Sequence, residues 1–444
     1  MMLTNTGSIR KLLDELYVKF SKNYLSTSML YVPHYYLKIF RKADRPEIEA
    51  LSFLTAIYDY QMRVPTLLNN FVLFVDELYR RNSRLSDLLD RGFWENFRQS
   101  FVNQVVYGFF HRFDPKMKAF YLMLRIVYEE DLESKLKNAL EYDMSLASAI
   151  YNKLEKYKNM IPVEEYRVVK SVLPSPERSS PLKRYNLFLR WIVRDEYPDL
   201  GVWESLDKSK LIVPLGLEIQ RVAGRIFYGR DAKVNRNESL KITELLKQIN
   251  PEDPIKYDFV LSRPALLGWC LKEKEYSHCQ TCLLKQACKI GSKTSTYSKL
   301  FETKLKEPIE AKNTKNLIRK HDHLVKIAYQ YFIEKYNLHD CRTDVAIDHG
   351  LRPDILCYNK NTLVAEIKLS TKTVQGPQQL KTYATQLNLK ENSIGALVYG
   401  KTDPYEIKLI KEAIEALELK NNYNKIEIYQ YNQEKRTINL QDYT

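Results

Sequence analysis

The sequence predicts two architectures in one chain, an all-helical region followed by a smaller α/β domain. Three observations carry this. From residue 8 to about 170, apolar residues recur three and four apart. After residue 317 the periodicity changes to a helix, three strands, a helix, a strand, a helix and a strand. Between them, a polar stretch at 289–316 has few large apolar side chains. The chain has 444 residues, more than one ordinary core holds, so two or three domains are expected.

In chain order, IEALSFLTAIYDYQ and FYLMLRIVYEEDLESKLKNAL carry the spacing of buried helix faces. A Pro/Ser-rich break, LPSPERSSP at 173–181, interrupts the pattern before LKRYNLFLRWIVR resumes it. SLKITELLKQI is a further helix, ended by NPEDP. Beyond the polar stretch, 317–336 is one amphipathic helix with Leu317, Leu324, Val325, Ala328, Phe332 and Tyr336 on a shared face. TDVAI, PDILCY and TLVAEIKL then read as strands, 376–389 as a helix and IGALVYG as a strand. A helix at 403–420 and a last strand, KIEIYQY, follow. The expected division is a helical domain at 1–290, a linker at 291–316 and an α/β domain at 317–444.

An apolar fraction of 44% and a charged fraction of 28% belong to a folded protein. No apolar run reaches the roughly 18–20 residues that span a bilayer, so no membrane partner is expected. The N-terminus lacks the pattern of a signal peptide, which points to a cytoplasmic location. The net charge of +14 favours polyanionic partners, nucleic acid first among them. A solvated Lys-rich surface would give the same charge.

RPDILCYNKNTLVAEIKL puts Asp354 at the start of one strand and Glu366 and Lys368 on the next, with YNKN as the turn. Residues two apart on a strand leave the same face, so Glu366 and Lys368 point together. Charges amid Val364, Ala365, Ile367 and Leu369 call for a partner or a metal. Two carboxylates suit Mg²⁺ or Mn²⁺, which polarises a phosphoryl oxygen and acidifies a water. A lysine beside them can orient that water or stabilise transition-state charge.

These residues resemble the PD-(D/E)xK nuclease superfamily, with Pro353-Asp354 and Glu366-Ile367-Lys368 as the two halves of its motif. Gln379 and Tyr383, in GPQQLKTYATQL, match the glutamine-tyrosine pair of the RecB/Cas4-like branch, which faces the catalytic site. The superfamily also implies an acidic residue or histidine on the first helix. His321, Asp322 and His323 are the candidates, and His323 is taken as the third metal ligand or near-ligand.

Four of the six cysteines form Cys270-x8-Cys279-x2-Cys282-x5-Cys288, a ligand spacing that suits zinc or an iron–sulfur cluster. Cys341 and Cys357 are isolated and read as small buried apolar residues. The cluster spacing resembles the loop of endonuclease III-type DNA glycosylases, with the first gap two residues longer. That resemblance implies a [4Fe-4S] cluster, with zinc as the alternative, and Lys285 and Lys289 on DNA phosphate.

SPLKRYNLFLRWIVR, LIVPLGLEIQRVAGR, NPEDPIKYDF and EIEALSFLTAIYDY resemble an uncharacterised prokaryotic family of helix-hairpin-helix glycosylase-like proteins. The implied fold is an all-α helix-hairpin-helix domain that grips DNA. Gly216 stands where such proteins carry the catalytic aspartate, which implies that base excision is lost. Lys183 matches the Schiff-base lysine of bifunctional glycosylases, with a phosphate contact as the preferred role. SPERSSPLK replaces a glycine-rich hairpin and offers Arg178, Ser179, Ser180 and Lys183. Lys183, Arg184 and Arg221 are the implied DNA contacts of this region. The expected function is a metal-dependent DNA repair endonuclease. The alternatives are a bifunctional glycosylase/nuclease using Lys183 and a non-catalytic DNA-binding scaffold.

Overall fold

A computed structural model of the chain describes residues 6–59, 64–102, 114–176, 179–272, 278–293, 314–343, 347, 353–358, 362–369, 376–389, 392–435 and 437–443. The chain packs as two compact units. One comprises Met1–Gln220 with Ala232–Phe259, and the other Arg221–Asp231 with Val260–Thr444. The cysteine segment thus groups with the C-terminal sheet. Most of the expected linker, from 294 to 313, lies outside the described residues. Among the described residues no helix is long and apolar enough to cross a membrane.

The first unit is helical, as the three-and-four spacing requires. Its Arg45–Tyr58 helix opens on a capping box in which Asp44 accepts from Glu47 N at 3.0 Å. Ala50, Leu51, Phe53, Leu54 and Ile57 of this helix are buried. Phe188, on the Lys183–Val193 helix, meets Phe53 and Trp203 edge-on. Two arginines of that region are fully buried. Arg190 lies 2.9 Å from Asp258, and Arg194 lies 2.8 Å from Asp253. Burial pushes the Asp258 carboxyl up to about 6, against the pull of Arg190.

The second unit is built on a six-stranded mixed sheet in sequence order: β1 (Asp340–Thr343), β2 (Ile355–Tyr358), β3 (Thr362–Lys368), β4 (Ser393–Tyr399), β5 (Lys425–Asn432) and β6 (Thr437–Tyr443). The β3–β4 and β4–β5 pairs are parallel and the others antiparallel. The Gly376–Gln386 and Pro404–Ala416 helices make the parallel crossovers. On one face, Leu363, Ala365 and Ile367 pack with Leu324, Ala328 and Phe332 of the Thr314–Tyr336 helix. Alternation along β3 sends Glu366 and Lys368 to the other face.

Three sequence expectations change here. The first strand forms earlier than TDVAI, at Asp340–Thr343, and residues 344–346 lie outside the described residues. A sixth strand, Thr437–Tyr443, was not expected, because TINLQDY is too polar to announce one. Cys341 and Cys357 are not separate apolar residues. They are direct partners in the β1–β2 register, and their sulfurs are bonded.

Candidate functional site

The β2–β3 hairpin assembles the charged centre. Ile355 pairs with Ala365, so Asp354 and Glu366 follow immediately at the same end of the ladder. Asp354 is 5% exposed, and its Oδ2 accepts from Ile367 N at 2.8 Å. Glu366 has no exposed surface. Its Oε1 accepts from Lys368 Nζ at 2.9 Å and its Oε2 from Tyr383 OH at 3.0 Å. A buried carboxylate tied at both oxygens is fixed in orientation and strongly dependent on its partners.

Three further elements reach this centre. Gln379 and Tyr383 lie one turn apart on the Gly376–Gln386 helix and share a face. Both are buried, and Gln379 Oε1 has no hydrogen-bond partner among the described residues. Burial and the adjacent carboxylates hold the Tyr383 phenol well above its ordinary pKa, so it stays a donor. The histidine that arrives is His321, not His323. His321 Nε2 lies 3.2 Å from Ile367 O and 3.8 Å from Asp354 Oδ2, whereas His323 is exposed. Residues two apart on a helix point about 200° apart, so the two cannot share this face. Burial lowers the His321 pKa, but Asp354 and the Ile367 carbonyl outweigh it and the net shift is upward.

Tyr399, unforeseen from the sequence, completes the surroundings. It pairs with Lys368 across β3–β4, is fully buried, and its hydroxyl has no partner among the described residues. Burial and then the charge of Glu366 raise its pKa. A Cβ at Gly376 would stand 2.7 Å from Leu397 Cδ2 and 3.0 Å from this hydroxyl, a crowding that glycine avoids.

Among the described residues no three or more of His, Cys, Asp and Glu converge tightly enough to hold one ion. The donor set still suits a hard divalent cation. Asp354 and Glu366 contribute two buried negative charges against one ammonium, and carboxylate oxygens are the ligands Mg²⁺ and Mn²⁺ prefer.

All four cysteines of the cluster line one cavity, whose apolar wall includes Val222, Ile226, Pro264, Trp269, Leu284 and Ile290. Burial pushes the Cys270 thiol up to about 11 despite Arg225 and Arg221 nearby, and raises Cys282 further. Donors face sulfur: Arg225 Nη1 reaches Cys270 Sγ at 3.3 Å, Gly291 N reaches Cys288 Sγ at 3.3 Å, and the Leu284 backbone donates to Cys282. Four thiols, an apolar wall and N–H···S donors fit a thiolate-ligated cluster. The segment is tied to the sheet helices within the same unit. Gln378 Nε2 donates to Leu267 O, and Arg263 lies 2.9 Å from Glu412 with both side chains 1% exposed.

The basic residues expected on DNA are largely engaged within the protein. Lys183 Nζ donates to Asp59 Oδ2 at 2.9 Å. The Asp59 charge, against burial, raises its pKa, the wrong direction for an amine nucleophile. Arg184 Nη1 donates to Ile57 O at 2.8 Å, and Arg221 Nη1 to Cys270 O at 2.9 Å. Lys285 donates to Gln280 Oε1, and Lys289 to Phe227 O. Just before the Lys183–Val193 helix, buried Leu182 adopts a left-handed conformation at φ 50, where a glycine would be unstrained. Arg178 lies outside the described residues.

Residues 33–266 match the family described as "Protein of unknown function (DUF2400)", just over half of the chain. The chain belongs to the DUF2400 family. No curated protein and no solved structure matches it. The DUF2400 match includes Lys183, Arg184, Gly216 and Arg221, and it ends before Cys270 and the whole sheet. Within the DUF2400 region, Gly216 faces Lys183: a Cβ there would meet Lys183 Cε at 3.1 Å and Glu218 Oε2 at 3.3 Å. The lysine stem therefore occupies the space an aspartate would enter.

Proposed function

We propose that this protein is a metal-dependent DNA endonuclease of repair, cutting phosphodiester bonds at Asp354, Glu366 and Lys368. The observation that carries the reading is Glu366: a carboxylate without exposed surface, tied to Lys368 and Tyr383 and set beside Asp354. A divalent cation held by Asp354 and Glu366 would supply Lewis-acid activation of a phosphoryl oxygen and an acidified water. Lys368 supplies a cation for the developing phosphate charge. Tyr383 fixes Glu366, and His321 sits within reach of Asp354 to orient it or to carry a proton. The net charge of +14 supports a polyanionic substrate.

The DUF2400 region is the DNA-recognition part in this reading. It acts without base excision, because Gly216 lacks a carboxylate and the Lys183 ammonium is engaged in an ion pair with Asp59. The cysteine centre holds a [4Fe-4S] cluster. Incubation of the full chain with nicked, mismatched, abasic and deaminated duplexes in Mg²⁺ or Mn²⁺ tests the function. Cleavage that disappears in Glu366→Ala is expected. Equal cutting by wild type and Glu366→Ala on every duplex would remove the assignment.

A further inference from the structure

Arg225 donates a hydrogen bond to the Cys270 sulfur from a charged side chain, whereas the bonds to Cys288 and Cys282 come from the backbone N–H groups of Gly291 and Leu284. The Arg225 guanidinium is held from three sides. Nε donates to Asp231 Oδ1 at 2.7 Å, Nη2 to Lys272 O at 3.0 Å, and Nη1 to Cys270 Sγ at 3.3 Å. The arginine side chain is 3% exposed, whereas that of Asp231 is 31% exposed. The balancing carboxylate is therefore partly screened by water, while the cation meets sulfur in a drier setting. One turn earlier on the same Leu217–Phe227 helix, Arg221 secures the carbonyl of the same cysteine at 2.9 Å. The backbone and the sulfur of Cys270 are thus both fixed from this helix.

We propose that Arg225 is a positioning residue that tunes the cysteine centre, holding Cys270 in place and raising the reduction potential of the group bound there. The inference rests on the iron–sulfur reading given above. A fixed cation beside a ligating thiolate stabilises the state with one more electron, and hydrogen bonds to sulfur act in the same direction. The planar fork of arginine is needed to meet Asp231, Lys272 and Cys270 together, which a lysine cannot do.

The test uses the full chain purified anaerobically as wild type, Arg225→Lys and Arg225→Leu. Iron and sulfide content and the absorbance band near about 400 nm report the cluster. Mediated potentiometric titration, with one electron delivered per cluster from the electrode, reports the potential. Arg225→Leu is expected to keep the band and shift the potential negative. A tenfold fall in the reduced-to-oxidised ratio corresponds to about 59 mV for one electron. Arg225→Lys should fall between the two. A loaded Arg225→Leu with the wild-type potential overturns the proposal and leaves the cofactor reading intact. A colourless, zinc-loaded wild type overturns the cofactor reading, and this proposal with it. If Arg225→Leu fails to load, Arg225→Lys decides: a negative shift supports the proposal and an unchanged potential overturns it.

Discussion

Tyr383 donates its phenolic hydrogen to Glu366 Oε2 at 3.0 Å, and neither residue has exposed surface. A hydrogen bond to a buried charge is worth about 1.5–3 kcal/mol. Tyr383→Phe is therefore expected to fold and to cut DNA about tenfold to hundredfold more slowly. Single-turnover cleavage at a series of Mg²⁺ concentrations checks it. Wild-type rates in the variant would show that the phenol does not govern Glu366.

The two histidines of the HDH run should separate cleanly. His321→Gln removes the ring beside Asp354 and Ile367 O, and cleavage is expected to fall by about tenfold or more. His323→Ala alters an exposed side chain and should leave the rate unchanged. The opposite ranking would return the role to His323.

Glu427 predicts an acid limb in the stability of the second unit. It lies without exposed surface, with Lys425 Nζ at 2.6 Å, Lys335 Nζ at 3.1 Å and the hydroxyls of Tyr336 and Tyr429 bonded to it. Burial favours the protonated form, yet the bonds from Lys425, Tyr336, Tyr429 and Lys335 prevail and bring its pKa down to about 2. The folded protein thus binds this proton less readily than the unfolded chain. The stabilisation is complete above the unfolded value of about 4.5 and disappears as pH falls toward about 2. Glu427→Gln should cost about 1.5–3 kcal/mol at pH 7 and lose less on further acidification. Urea midpoints at pH 7, 4.5 and 3 for both proteins decide it; parallel curves would remove Glu427 as the source.

Gly376→Ala should destabilise by about 1–3 kcal/mol, because the new methyl would stand 2.7 Å from Leu397 Cδ2 and 3.0 Å from Tyr399 OH. Adding Tyr399→Phe relieves only the second contact, so the double variant should recover part of the loss. Chemical denaturation of the single and double variants measures this. Full wild-type stability in Gly376→Ala would mean that the β4 side chains yield freely.

The carboxylate hairpin was legible because its chemistry and its strand pattern coincide within eighteen consecutive residues, Arg352–Leu369. Two apart on a strand means one face, and Glu366 and Lys368 obey that rule wherever the strand sits. Gln379 and Tyr383 were singled out by the resemblance to the RecB/Cas4-like branch, and they lie one helical turn apart on the Gly376–Gln386 helix. His321 was not distinguishable from His323, since the phase of a helix against a sheet is set by the packing of Leu324, Ala328 and Phe332. Tyr399 and the Cys341–Cys357 bond depend on which strands become neighbours, which no local pattern states. The inward turns of Arg184, Arg221 and Lys289 were hidden for a further reason. Their acceptors are backbone carbonyls, and a carbonyl leaves no signature in a sequence.

The chain enters the second unit at Arg221, leaves it after Asp231, and returns at Val260 to remain until the end. No single peptide bond therefore separates the two units. A fragment starting at residue 317 would lack Leu267 and Arg263, and with them the contacts these make to Gln378 and Glu412. On the ribosome, the helix that holds Cys270 is made before the cysteine, and the sheet comes last. The first unit can close early, but the second must wait for its final strands. Arg225 stands without Cys270 only while residues 226–269 are being made, so their contact can form well before the sheet is complete.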